Sequence, residues 1–138
     1  MQNKLTLAAR LLMGLIFVVF GLNGFLNFIP MPPMPEAAQS FMGGLGGSGY
    51  FFPVLKVCEI VAGLMLLSGA FVPFAIILLA PIIVQIFLFH AFLAPGGTGM
   101  VMPILLVALE VYLGFFSKPY SDITKQLFRC PKLEAMKK

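Results

Sequence analysis

Four long apolar runs divide the chain, separated by short segments rich in Pro, Gly and polar residues. A helix needs about 20 apolar residues to cross a bilayer. On that measure the pattern predicts spanning helices over about 5–28, 51–70, 73–93 and 100–116, followed by a basic tail, 117–138. The first run is too long for a signal peptide, and no small-x-small cleavage site precedes Asn23, so it reads as a retained helix. Arg10, Gly14, Phe17, Gly21, Gly24 and Phe28 fall on one side of it, a small-residue groove against which a neighbour packs closely.

The connection between the first two runs, IPMPPMPEAAQSFMGGLGGSGY, is the longest. Its prolines favour an extended entry. Pro35 then opens a short helix with Glu36 in its first turn, and the glycines from Gly43 to Gly49 make a flexible exit. Such a Pro/Gly-rich loop predicts a lid at the membrane surface. Pro81, inside the third run, predicts a kink with carbonyls freed near Ile77.

Composition settles the class. The chain is 60% hydrophobic and 10% charged, with mean hydropathy +1.03, too few charges to cover a water-soluble globule of 138 residues. The fold expected is an all-α membrane protein, a single four-transmembrane-helix bundle with a Pro/Gly-rich outer loop between helices 1 and 2. The net charge of +4 calls for no nucleic acid, because six of the nine basic residues lie in the tail. Lys4 and Arg10 share the tail's side if there are four spans, and the two opposite connections carry no Lys or Arg. Both termini are therefore expected in the cytoplasm. Within the tail, Tyr120, Ile123, Leu127 and Phe128 form an apolar stripe beside Lys125 and Arg129, expected to lie on the inner leaflet.

Charge inside the apolar runs is the candidate chemistry. At 1.5 Å per residue, Lys56 lies about 8 Å below the outer surface, Glu59 and Gln85 about 12 Å, and Asn23 and His90 within about 8 Å. Asn23, Lys56, Glu59, Gln85 and His90 thus form a candidate outer polar chamber for a small amphiphile. Arg10 and Glu110, level within about 5 Å on the same rise, form a candidate structural pair. The four charges sum to zero, which suits paired burial, and both pairs read equally well as structural devices that fix register. Met31, Met34, Met100 and Met102 near His90 outline a Cu(I) donor set, although methionine is also a common filler of lids and helix ends. No zinc spacing, nucleotide loop or nucleophile triad occurs, and Cys58 and Cys130 suggest no disulfide framework.

The segments ARLLMGLIFVVFGLNGFLNFIP, PVLKVCEIVAGLMLLSG, LLAPIIVQIFLFHAFL and ALEVYLGF resemble the DoxX family of small bacterial membrane proteins. The most specific pieces are Arg10 with Gly21-Leu22-Asn23-Gly24, Glu59-x-x-x-Gly63 with Ser68-Gly69, and Phe89-His90. The resemblance implies a four-helix bundle in the bacterial inner membrane, and it maps Arg10, Glu59 and Glu110 to the bundle's polar positions. It also implies a place among the subunits or assembly factors of redox enzymes, the family's name deriving from a subunit of a thiosulfate:quinone oxidoreductase. Two further classes stand beside an accessory or quinone-binding redox subunit: a small oligomeric transporter or permeation unit, and a non-catalytic scaffold or assembly factor. Partners on these readings are the lipid bilayer, redox-complex subunits and a second copy of the chain. No independent catalytic activity is expected, and quinone is the only cofactor implied.

Overall fold

Inside hydrocarbon every backbone amide has to bond within its own segment, so an apolar run of this length becomes a helix. The computed structural model describes residues 4–28, 33–95, 97–118 and 120–137. Its helices are α1 (Lys4–Leu26), α2 (Glu36–Gly47), α3 (Phe51–Ser68), α4 (Val72–Leu88), α5 (Val101–Val111), α6 (Tyr120–Gln126) and α7 (Pro131–Met136). Wider π turns extend α4 through Phe89–Leu93 and α5 through Tyr112–Phe116, and a 3-10 turn, Gly97–Met100, leads into α5.

Helix α1 lies along α3; α3 packs on α4, α4 on α5, and α5 returns to α1. Met13, Phe17, Leu66, Leu79, Ile83, Leu106 and Leu113 fill the space between them. The outward positions of the same helices, Leu15, Val57, Leu64 and Ile104 among them, are equally apolar, as they must be when the surrounding solvent is lipid. Thr6 and Tyr112 share a hydrogen bond at 3.0 Å that ties α1 to the π turn after α5.

Three segments are long and apolar enough to cross a membrane: Lys4–Leu26, Phe51–Ser68 and Val72–Leu93. The fourth run, Val101–Phe116, meets that test only together with Tyr120–Gln126, from which it is bent by 84°. At 1.5 Å per residue it measures roughly 24 Å against a hydrocarbon core of about 30 Å. The protein therefore has three to four candidate spans.

Two connections differ from the sequence expectation. The polyproline entry falls partly on residues 29–32, outside the described residues. The glycine exit is helical: α2 runs on to Gly47, through Gly43, Gly44 and Gly46. Each glycine costs about 1 kcal/mol in a helix relative to alanine. Here α2 rests on α3 and on the π turn after α4, with Ala38 buried and Phe41 packed 5.9 Å from Phe89 between ring centroids. In the tail, α6 packs against α4 and the π turn after α5. It turns Tyr120, Ser121 and Thr124 inward and leaves Ile123 and Phe128 exposed, so Tyr120 does not belong to an outward stripe. Helix α4 continues through Pro81 without a break.

Candidate functional site

The seam between α1 and α3 positions the first pair of charges. Gly14, Gly21 and Gly24 turn toward α3, and Gly63 turns back toward α1. A Cβ on Gly14 would lie 2.9 Å from the Gly63 carbonyl oxygen, and one on Gly21 would lie 2.6 Å from Ile60 Cγ1. Further along, the Lys56 stem crosses Gly24, where a Cβ would stand 2.7 Å from Lys56 Cδ. So placed, Lys56 Nζ donates to Glu59 Oε2 at 3.2 Å. Glu59 is 4% exposed, and its charge is answered within the same helix one turn away. The groove expected from the glycine spacing is thus what holds the lysine over the carboxylate.

Arg10 is placed differently from the expectation. Gly69 ends α3 in the left-handed region, φ 79°, and a Cβ there would collide with Arg10 Nη1. The guanidinium therefore sits against the C-terminus of α3, where unpaired carbonyls carry the negative end of the helix dipole. Among the described residues the ion pairs are Lys56–Glu59 and Arg129–Glu134, so Arg10 and Glu110 are not joined directly. The reason is rotational: α1 presents Arg10 to α3, whereas Glu110 on α5 faces α4 and α6. Arg10 Nε and Glu110 Oε2 are each shut off from the surroundings without a hydrogen-bond partner.

Glu110 borders a groove of about 200 Å³ between α4, α5 and α6, walled by Ile76, Ile77, Ala80, Gly114 and Phe115 and closed by Thr124, Leu127 and Phe128. The Phe115 and Phe128 rings meet at a tilt, centroids 5.6 Å apart, across its rim. Sequence reasoning missed the α6 wall. The only signal for it was the four-residue spacing of Tyr120 and Thr124, which with Ser121 point into the bundle.

Two apolar cavities of the bundle are lined by none of the five residues of the expected polar chamber. Lys56 and Glu59 lie in the α1–α3 seam. Gln85 stands on the exposed face of α4. His90 Nδ1 is 2.8 Å from the Ile86 carbonyl oxygen, and because a carbonyl only accepts, Nδ1 is the donor. The Asn23 carbonyl receives the Asn27 amide at 2.9 Å, closing the end of α1. One of those cavities, about 270 Å³, lies at this end of the bundle between α3 and α4, walled by Phe51, Val54, Leu55, Cys58, Leu78 and Pro81.

Among the described residues no three His, Cys, Asp or Glu side chains are grouped to hold a metal. Of the copper donor set, Met31 lies outside the described residues, Met34 and Met100 are half-buried, and Met102 is exposed. What the arrangement offers chemically is one neutralised pair, one cation on a helix end and one carboxyl with a buried, unbonded oxygen beside an apolar groove. The family model for DoxX matches residues 5–91, from the first turn of α1 into the π turn after α4. Comparison with curated proteins and with solved structures gives no match.

Proposed function

The chain belongs to the DoxX family, and from that premise we propose that it serves as a membrane-embedded accessory subunit of a redox assembly, holding a quinone-class amphiphile in the groove beside Glu110. The observation that carries this is the Glu110 carboxyl. Its Oε2 is buried with no hydrogen-bond partner, behind the hydrocarbon lining of the groove that Glu110 borders. A polar atom left unbonded in such surroundings is costly, and a ligand that bonds it recovers that cost. In its protonated form the carboxyl donates to a ring carbonyl; in its charged form it accepts from a ring hydroxyl. A quinone and its quinol supply these two partners respectively. Sites that enclose a drug-sized ligand run to about 300–1,000 Å³. A groove of about 200 Å³ suits a ring headgroup, with the isoprenoid tail left among the lipids.

In this reading all four apolar runs cross the bacterial inner membrane. Both termini lie in the cytoplasm, a side supported by the clustering of basic residues in the tail. The family resemblance supports the redox assembly. The test is photolabelling in nanodiscs with a ubiquinone bearing an azido ring. Labelled peptides from α4, α5 and α6, with labelling lost in Glu110→Leu and partly kept in Glu110→Gln, support the site. Equal labelling of wild type and Glu110→Leu, together with purified protein whose lipid extract contains no quinone, would sink it.

A second reading, the scaffold, draws on a different observation. Lys56 and Glu59 are already satisfied by each other inside a glycine-lined seam, and such a pair needs no ligand.

A further inference from the structure

Gln85 has no hydrogen-bond partner among the described residues, and it faces outward from α4. It belongs to the segment Val72–Leu93, 22 residues of mean hydropathy 2.6. By helical rise it sits about 4 Å from that segment's midpoint. The nearer edge of the hydrocarbon core is then about 11 Å away, farther than a glutamine side chain reaches. Snorkelling to water is closed to it, and lipid tails offer neither donor nor acceptor. Something else in the membrane must supply both.

The neighbouring positions outline a seam. Phe74, Pro81, Gln85 and Leu88 are exposed and, with the half-buried Leu78, recur at spacings of four and three residues. That repeat is the one by which parallel helices interlock. At mid-span the exposed positions of the other helices are apolar: Leu11, Leu12 and Leu15 on α1, Val57, Val61 and Leu64 on α3, Ile104 and Val111 on α5. Those faces suit lipid. Among the described residues, α4 alone puts an amide at the middle of a face that lipid would otherwise cover.

The chemistry of that amide selects the occupant. A primary amide carries both a donor and an acceptor, so two copies related by a two-fold axis satisfy each other with a reciprocal pair of N–H···O bonds. Copies inserted in the same orientation present their α4 helices in parallel with Gln85 at one depth. We propose that the chain forms a homodimer through the outward face of α4, with Gln85 bonded to Gln85 of the second copy across an axis normal to the membrane. This goes beyond the quinone site, since Gln85 does not border the Glu110 groove.

The test uses the full chain with Cys58→Ser and Cys130→Ser, oxidised in the membranes of the expressing cells. Leu88→Cys, on the proposed seam, is expected to give a band of twice the chain mass. Val57→Cys, exposed on α3, is not. Förster transfer between labelled copies diluted into phosphatidylcholine–phosphatidylglycerol vesicles then reads the affinity. Gln85→Leu should weaken association about ten-fold or more, in line with interhelical amide bonds, and Gln85→Asn should keep part of it. Gln85→Leu removes a polar group from a lipid-exposed position, so loss of folding would not confuse the result. Equal crosslinking at Leu88→Cys and Val57→Cys, association of Gln85→Leu as tight as wild type, or a Leu88→Cys adduct only to a protein of different mass would each overturn the proposal.

Discussion

Gly14 of α1 and Gly63 of α3 meet backbone to backbone: a Cβ on either would lie 2.9 Å from the other's carbonyl oxygen. A Cβ on Gly63 would also stand 2.9 Å from Val18 N and 2.7 Å from Val18 Cγ2. Two of these three atoms are backbone, so an added methyl can be accommodated only by prising the helices apart. Gly63→Ala is expected to cost about 1–3 kcal/mol, the usual range for overpacking, read as a lower unfolding midpoint in detergent. Gly44→Ala is the control, because a Cβ there meets nothing within 4 Å. It should firm α2 by about 0.5–1 kcal/mol, seen as slower amide exchange in Glu36–Gly47.

The seam was legible in the sequence because glycine positions at helical spacing declare where a neighbour comes close. The Lys56–Glu59 pair was legible because side chains three apart on a helix are neighbours wherever the helix is placed. The facing of α4 was not. Its residues are apolar almost all round, so no hydrophobic stripe says which side is buried, and Gln85 was read as inward although it faces out. Arg10 was matched to Glu110 by depth and by opposite charge. Depth fixes height along a bundle but not rotation about it, and rotation sends Arg10 to the end of α3.

The length of the fourth apolar run makes the topology a sharp question. If Val101–Phe116 crosses the membrane, Lys4 and Cys130 lie on the same side; if it does not, they lie on opposite sides. With Cys58→Ser in place, Cys130 and an introduced Lys4→Cys should both be protected from a membrane-impermeant maleimide in intact cells. Both should react once the cells are opened. Reaction of one site alone in intact cells would leave three spans.

In the tail, Arg129 Nε and Nη2 donate to the two carboxylate oxygens of Glu134 at 2.9 and 2.7 Å, clasping the start of α7. The hydrogen bonds from Arg129 hold the Glu134 carboxyl below the usual carboxylate range, and the same contact raises Arg129. A carboxylate depressed in the folded state stabilises that state above its unfolded pKa, and the contribution is lost as pH falls through the folded value. The clasp should therefore persist through mildly acidic pH and open only below it. Carboxyl NMR of the full chain should show Glu134 titrating at higher pH in Arg129→Gln than in wild type. An unchanged midpoint would mean that the clasp does not form in solution.

Lys56 and Glu59 separate the two functional readings. Removing one partner strands the other in the seam, a loss of about 3–5 kcal/mol for a fully buried pair. Lys56 keeps 23% side-chain exposure, so Glu59→Leu alone should cost less, on the order of 2–3 kcal/mol after screening. Lys56→Met with Glu59→Leu removes both charges and should recover most of that stability, since apolar replacement of a buried pair is often neutral. Thermal unfolding of the two single variants and the double variant measures the coupling. If the amphiphile sits beside Glu110, quinone photolabelling should survive in the folded double variant. Loss of labelling there, with the fold intact, would move the site to the α1–α3 seam and make Glu59 the group that holds the ring.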